Sequence, residues 1–260
     1  MAIDLMVATI RYRWRKLAIV LPCFIGLLAT GADGRAGTAG LEVYDALLHE
    51  HVHDGHVDYR GFAASEKFGD YLDEIADRDP ESFGSAEERL AFYINAYNAL
   101  TIQSIVTGKS PANLLGRFGF FKRNKHVVAG ESISLFDFEH ERLIAQKEPR
   151  LHFAIVCASA SCPPLRSEAY RPEILDQQLD DQAIKFINDS SKNAFDEEKK
   201  IAWLSKIFKW YREEFETIDS SIGDYVAFYL KDPGRASALK EGEYKIKFQK
   251  YDWSLNGTAP

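Results

Sequence analysis

Residues 90–106 read LAFYINAYNALTIQSIV, and the fold turns on how that run is read. Ser85, with Glu88 three residues on, forms a capping box ahead of it, so the run opens as a helix rather than a strand. Its apolar residues fall on every side, which predicts a helix buried all round. Asn95 and Asn98 are three apart and therefore share a face. A buried amide must find partners, and two readings follow. Either the pair ties the helix to neighbouring backbone, or it presents amides to a ligand.

Outward from this helix, helical and extended patterns alternate. Upstream, Leu41, Tyr44, Leu47 and Leu48 give Leu41 to Val52 the spacing of an amphipathic helix. Gly55 ends it, and HVDYRGF then reads as a short extended piece. Phe68 to Ile75 suggests another helix, stopped by Asp79-Pro80. Downstream, a Gly- and aromatic-rich connection (Leu115 to Lys125) leads into HVVAGESISL, a hairpin turning at Gly130. Phe136 to Ile144 reads as a helix, Phe153 to Cys157 as an apolar strand, and Pro172 to Asn188 as a long amphipathic helix. A strand-like piece, Lys200 to Leu204, precedes a helix from Ser205 to Phe215. Ile222 to Leu230 is a further helix, closed by Asp232-Pro233-Gly234, and Tyr244, Ile246 and Phe248 alternate in a last strand. No repeat or low-complexity linker interrupts this span, so the expectation is one α+β domain.

The N-terminus carries a different pattern. Arg11, Arg13, Arg15 and Lys16 precede an apolar run from Leu17 to Thr30, with cleavage sites after Ala32 or Ala36. That order is a secretory signal peptide, residues 1–36, leaving a domain over 37–260. The apolar run is shorter than the roughly 20 residues a membrane span needs, so membrane association is expected only through an uncleaved N-terminal segment. The expected location is periplasmic or secreted. A hydrophobic content of 46% argues against disorder, and a net charge of −7 without a long basic cluster in residues 37–260 argues against nucleic acid as the main partner.

The chemistry concentrates in Arg150–Arg166, RLHFAIVCASASCPPLR. Cys162 before Pro163 fits an N-cap position, where a helix end favours the thiolate; Cys157 reads as the milder, structural thiol. A nucleophilic cysteine needs a base held by a third group. His152 and His140 are candidates for the base, and Glu139, Asp137 or Asp252 for the orienting group. In an oxidising compartment the same two cysteines can instead close a disulfide. His49, His51, His53 and His56 form a second cluster, in which His49 and His53 would clamp a metal if the helix reached that far. A solvated helix end is the preferred reading there, and no metal or cofactor is assigned. Trp203, Phe208, Trp210 and Tyr211 could form a sugar or ring platform, but at helical spacing they read rather as core.

HVDYRGF, LAFYINAYNALT, SLFDFEH, LHFAIVCASASCPPLR with its EAY, LSKIFKWY and YDWSLN occur in that order. Together they make the chain resemble the domain of unknown function 547 family across nearly all of residues 37–260. The resemblance implies a single exported bacterial domain, distantly similar to papain- and transglutaminase-like thiol enzymes. In such a fold a buried central helix packs on an antiparallel sheet with surrounding helices. Those enzymes place the cysteine at the start of the buried helix and the histidine after it. Here that helix offers Asn95 and Asn98, and no histidine follows Cys162. The resemblance therefore leaves either a permuted catalytic site or a groove without the chemistry.

Two functions follow. The first is an exported thiol-dependent hydrolase or acyl transferase acting on peptide-like or small thiol-containing substrates. Cys162 would attack, His152 or His140 would act as base, Glu139 would orient it, and backbone N–H groups of Ala158 to Ser161 would hold an oxyanion. Asn95, Asn98, Cys157, Ser159 and Ser161 would line the binding site. The second is a non-catalytic module that binds a peptide or glutathione-like thiol and carries a Cys157–Cys162 disulfide. Thiol–disulfide exchange is a third, weaker option, because four residues separate the cysteines.

Overall fold

Thirteen residues of the central helix, α4 (Ala86–Val106), are buried, as its all-round apolar pattern requires. In the computed structural model, which describes residues 33–260, the Ser85 hydroxyl accepts from the Glu88 N–H at 3.0 Å. The Glu88 carboxylate reaches the Gly84 N–H at 2.8 Å, one residue before the usual partner in a capping box. The export segment read over residues 1–36 lies outside the described residues except at its end, which opens α1 (Asp33–His51). Among the described residues no helix is long and apolar enough to cross a membrane.

Helices rather than a sheet surround α4. On the N-terminal side stand α1, α2 (Tyr59–Ala64) and α3 (Glu66–Asp77), with the short hairpin β1 (Val52–His53) and β2 (His56–Asp58) between α1 and α2. After α4 come α5 (Leu114–Phe118), a π-helical turn (Gly119–Arg123) and the hairpin β3 (Lys125–Val128) and β4 (Glu131–Ser134). Ala129 and Gly130 link its strands with φ of 50° and 76°, the two left-handed residues that a tight two-residue hairpin demands. The helix expected over Phe136 to Ile144 is α6 (Leu135–Phe138) continued by a π-helical turn, Glu139–Leu143.

The strand expected over Phe153 to Cys157 is instead a helical turn, α7 (Leu151–Ala154), followed by extended chain. Asp232-Pro233-Gly234 starts a helix rather than ending one. Asp232 caps α12 (Pro233–Lys240), with Pro233 at the first position, where its missing N–H costs nothing. The rest of this half comprises α8 (Leu175–Ile187), β5 (Ala194–Asp196), β6 (Ile201–Leu204), α9 (Ile207–Trp210), α10 (Arg212–Ile218), α11 (Ile222–Tyr229) and β7 (Lys245–Phe248). The single helix read from Ser205 to Phe215 is thus broken at Tyr211.

The sheets are small. β5 and β6 pair antiparallel and β6 and β7 parallel, with Ile201 opposite Lys245. The last strand, β8 (Gly257–Thr258), lies parallel to β2, with Gly257 opposite Val57. A Cβ at Gly257 would stand 2.0 Å from the Val57 carbonyl oxygen, so only glycine permits that approach. The architecture is α+β around a buried helix, as the sequence implies, but that helix does not rest on one antiparallel sheet.

Two apolar clusters meet at the thiol segment. Ala154, Ile155 and Val156 belong to the cluster around α4. Phe153 belongs to the other, stacked at 5.2 Å on Phe186 and near Phe208, Phe215 and Tyr225. Cys157 packs against both.

Candidate functional site

Asn95 and Asn98 explain how the extended chain around the cysteines is held. Asn98 Nδ2 donates to the Ala154 carbonyl at 3.0 Å, and the Val156 N–H donates to Asn98 Oδ1 at 2.9 Å. Asn95 does the same for Tyr170, donating to its carbonyl at 2.8 Å and accepting from its N–H at 2.9 Å. Each amide replaces a missing neighbouring strand, so buried peptide groups stay satisfied without a sheet. The backbone-tying reading holds for both. Neither lines the cleft, and both amides are engaged.

Beyond Val156 the chain turns sharply, with Ala158 at φ 56°. The C-terminal segment clamps this turn. The Ala160 N–H donates to the Ser254 carbonyl at 2.7 Å and the Ser161 N–H to the Asp252 carbonyl at 3.1 Å. Ser161 Oγ accepts from the Asp252 N–H at 2.8 Å. The Cys162 N–H donates to the Ser159 carbonyl at 3.0 Å. The N–H groups of Ala160 and Ser161, which the sequence reading offered to an oxyanion, are therefore engaged within the fold.

The turn brings the two sulfurs to 3.0 Å as free thiols; the disulfide of the binding-module reading is not formed in this state. Their surroundings differ. Cys157 is half-buried, and its sulfur lies 3.0 Å from Ser159 Oγ and 3.1 Å from the Tyr251 hydroxyl. Burial pushes the Cys157 thiol up, but hydrogen bonds from Cys162, Ser159 and Tyr251 outweigh it and bring it below the ordinary thiol value. Cys162 is buried, and burial together with the neighbouring Cys157 sulfur raises its thiol well above that value. No helix begins at Cys162: the chain is irregular through Pro163 and Pro164, as Pro164 disfavours a helical Pro163. Cys157 rather than Cys162 is thus the more accessible sulfur and the one whose thiol is lowered.

A cleft of about 400 Å³ opens over the pair. Its wall combines Tyr97, Phe121, Phe136, Trp210, Tyr211, Tyr251 and Trp253 with Cys157, Cys162, Glu139, His140 and His152. Glu139 accepts from the Tyr211 hydroxyl at 2.5 Å and the Tyr97 hydroxyl at 3.4 Å, so it is bound to tyrosines and orients no histidine. His152 is buried, stacks on Tyr211 at 3.8 Å and pairs through Nε2 with Glu214 at 2.7 Å. Its Nδ1 has no partner among the described residues. His140 stacks on Phe136 at 4.0 Å and bonds the Phe136 carbonyl through Nδ1. Neither histidine is hydrogen-bonded to a sulfur. Asp137 pairs with Lys125 and Ser134, away from the thiols.

Sequence reasoning missed Tyr97, Tyr251 and Trp253 as parts of the site, and preferred core over a ring platform for Trp210 and Tyr211, which both line the cleft, Trp210 at 46% exposure. The signals were present in LSKIFKWY and YDWSLN, whose aromatics converge only in three dimensions. The histidine cluster separates. The helix ends at His51, and His53 faces His56 across the β1–β2 hairpin, so His49 and His53 share no helix face. Among the described residues no three His, Cys, Asp or Glu side chains are grouped to hold a metal.

No curated protein and no solved structure matches this chain. The motifs HVDYRGF, LSKIFKWY and YDWSLN lie outside the span that a family match covers. Residues 81–187, which hold the central helix and both cysteines of the cleft, match the family described as "Protein of unknown function, DUF547".

Proposed function

We propose that this protein is an exported dithiol enzyme exchanging disulfides with small organic substrates, Cys157 attacking and Cys162 resolving. One observation carries the reading: the two sulfurs are 3.0 Å apart, with the half-buried thiol lowered and the buried one raised. A thiolate more accessible than its buried, protonated partner is the division of labour that exchange requires.

The Cys157 thiolate attacks one sulfur of a disulfide RS–SR′. The substrate S–S bond breaks, R′S⁻ leaves, and Cys157 is held as a mixed disulfide with RS. The Cys162 proton passes to R′S⁻. The Cys162 thiolate then attacks Cys157 Sγ, closing the Cys157–Cys162 bond and releasing RS⁻. Two electrons pass from the pair to the substrate, and a dithiol reductant restores both thiols. In the Cys162→Ser variant a small disulfide should remain bound to Cys157 as a stable adduct seen by intact mass. Cys157→Ser should form none. An adduct on Cys162 in the second variant and none in the first would reverse the assignment.

Thiol-dependent acyl transfer through Cys157 is the second reading, favoured by His152, which lines the same cleft with an unpartnered Nδ1. Against it stand the engaged N–H groups of Ala160 and Ser161, which leave an acyl oxyanion without those donors. His152→Gln separates the two: acyl transfer needs the imidazole as base, whereas exchange at Cys157 proceeds without it.

A further inference from the structure

We infer that the substrate is a small organic anion, an apolar and preferably aromatic disulfide or thiol bearing a carboxylate, which Arg117 and Lys122 receive at the cleft mouth. This substrate class rests on the dithiol reading above. α5 has no buried residue, and it presents Leu114 (78% exposed) and Phe118 (56% exposed) beside the opening. An exposed apolar edge on a cleft is contact area for an apolar ligand body. The cleft's volume fits a molecule of one or two rings rather than a folded partner.

Charge sets the remaining requirement. Arg117 and Lys122 both line the cleft. The Arg117 guanidinium sits over the Trp253 ring at 4.6 Å, and the Lys122 ammonium over the Phe136 ring at 3.9 Å. Among the described residues neither has a carboxylate within 4.0 Å, and Arg117 bonds only the Pro111 carbonyl, at 3.4 Å. The one carboxylate in the described lining, Glu139, is engaged by two tyrosines deeper in. Two cations held on aromatic faces therefore keep donors free at an apolar mouth, in a chain of net charge −7. Ring stacking fixes each cation in place while leaving its edge to pair an anion.

Two small aromatic disulfides distinguish the terms: dithiobis(nitrobenzoate), which carries carboxylates, and dithiodipyridine, which is neutral. The readout is the ratio of their second-order rate constants at Cys157, in wild type and in Arg117→Gln/Lys122→Gln. The ratio should favour the anion in wild type and fall about tenfold in the variant. Raised salt should lower the wild-type ratio, and Arg117→Lys/Lys122→Arg should restore most of it. Reaction of both probes with a ratio unchanged in the variant overturns the anionic substrate and leaves dithiol exchange standing. Reaction of neither probe with Cys157 overturns both.

Discussion

The Tyr251 hydroxyl lies 3.1 Å from Cys157 Sγ and 3.2 Å from Ser159 Oγ, joining residues 94 apart in sequence. The C-terminal segment thus places a donor on the sulfur while its backbone clamps the loop. A hydrogen bond to the charged sulfur favours the thiolate and helps hold the Cys157 thiol below its ordinary value. Tyr251→Phe should move alkylation of Cys157 to higher pH, read by peptide mass after timed labelling with iodoacetamide. An unchanged pH profile would remove Tyr251 from the site.

Asn98→Ala should lower stability by roughly 2–4 kcal/mol, because the Ala154 carbonyl and the Val156 N–H both lose their partner inside the core. Urea unfolding measures it. A variant as stable as wild type but impaired in substrate binding would return Asn98 to the role of a ligand group.

His126 should make the fold acid-sensitive. It is buried among Ser104, Gln103 and Asn124, all neutral, and burial lowers it to about 4. A histidine lowered on folding is protonated first in the unfolded chain. Its stabilising share is therefore complete above about pH 6.5 and is lost as pH falls toward 4. The loss amounts to about 3 kcal/mol. Unfolding free energies from pH 7 to 4 should show this slope in wild type and a shallower one in His126→Gln; parallel slopes would contradict it.

Arg150 should anchor the entry to the thiol segment. It bonds the carboxylates of Glu148, Asp176 and Asp180, tying α7 to α8. Arg150→Met should cost about 1–3 kcal/mol and loosen protection of Leu151–Cys157 in hydrogen exchange. Unaltered exchange there would show that the aromatic stack at Phe153 suffices alone.

Much of this was legible in local sequence. The capping box and all-round apolar pattern of residues 90–106 locate α4, and the alternation around Gly130 locates its hairpin. The cysteine loop stood out in the sequence through its small residues, and Cys157, Cys162 and Pro163 border the cleft. What failed was long-range. Phe153–Val156 has a strand's composition, but helix amides rather than a second strand satisfy its backbone, so local pattern could not reveal its conformation. The thiol environments depend on Tyr251 and Ser159, and no spacing rule links Tyr251 to Cys157. Asp232-Pro233-Gly234 can stop one helix or start the next, and only tertiary packing decides.

The most direct test of the central claim is the redox equilibrium of the Cys157–Cys162 pair. The protein lacking residues 1–36 would be held in graded ratios of reduced to oxidised glutathione, acid-quenched and counted for alkylated thiols by mass. Dithiol exchange predicts one two-electron transition, in which both labels on Cys157 and Cys162 vanish together and the mass falls by two hydrogens. Two thiols that stay labelled throughout, or that take up glutathione independently, would contradict it.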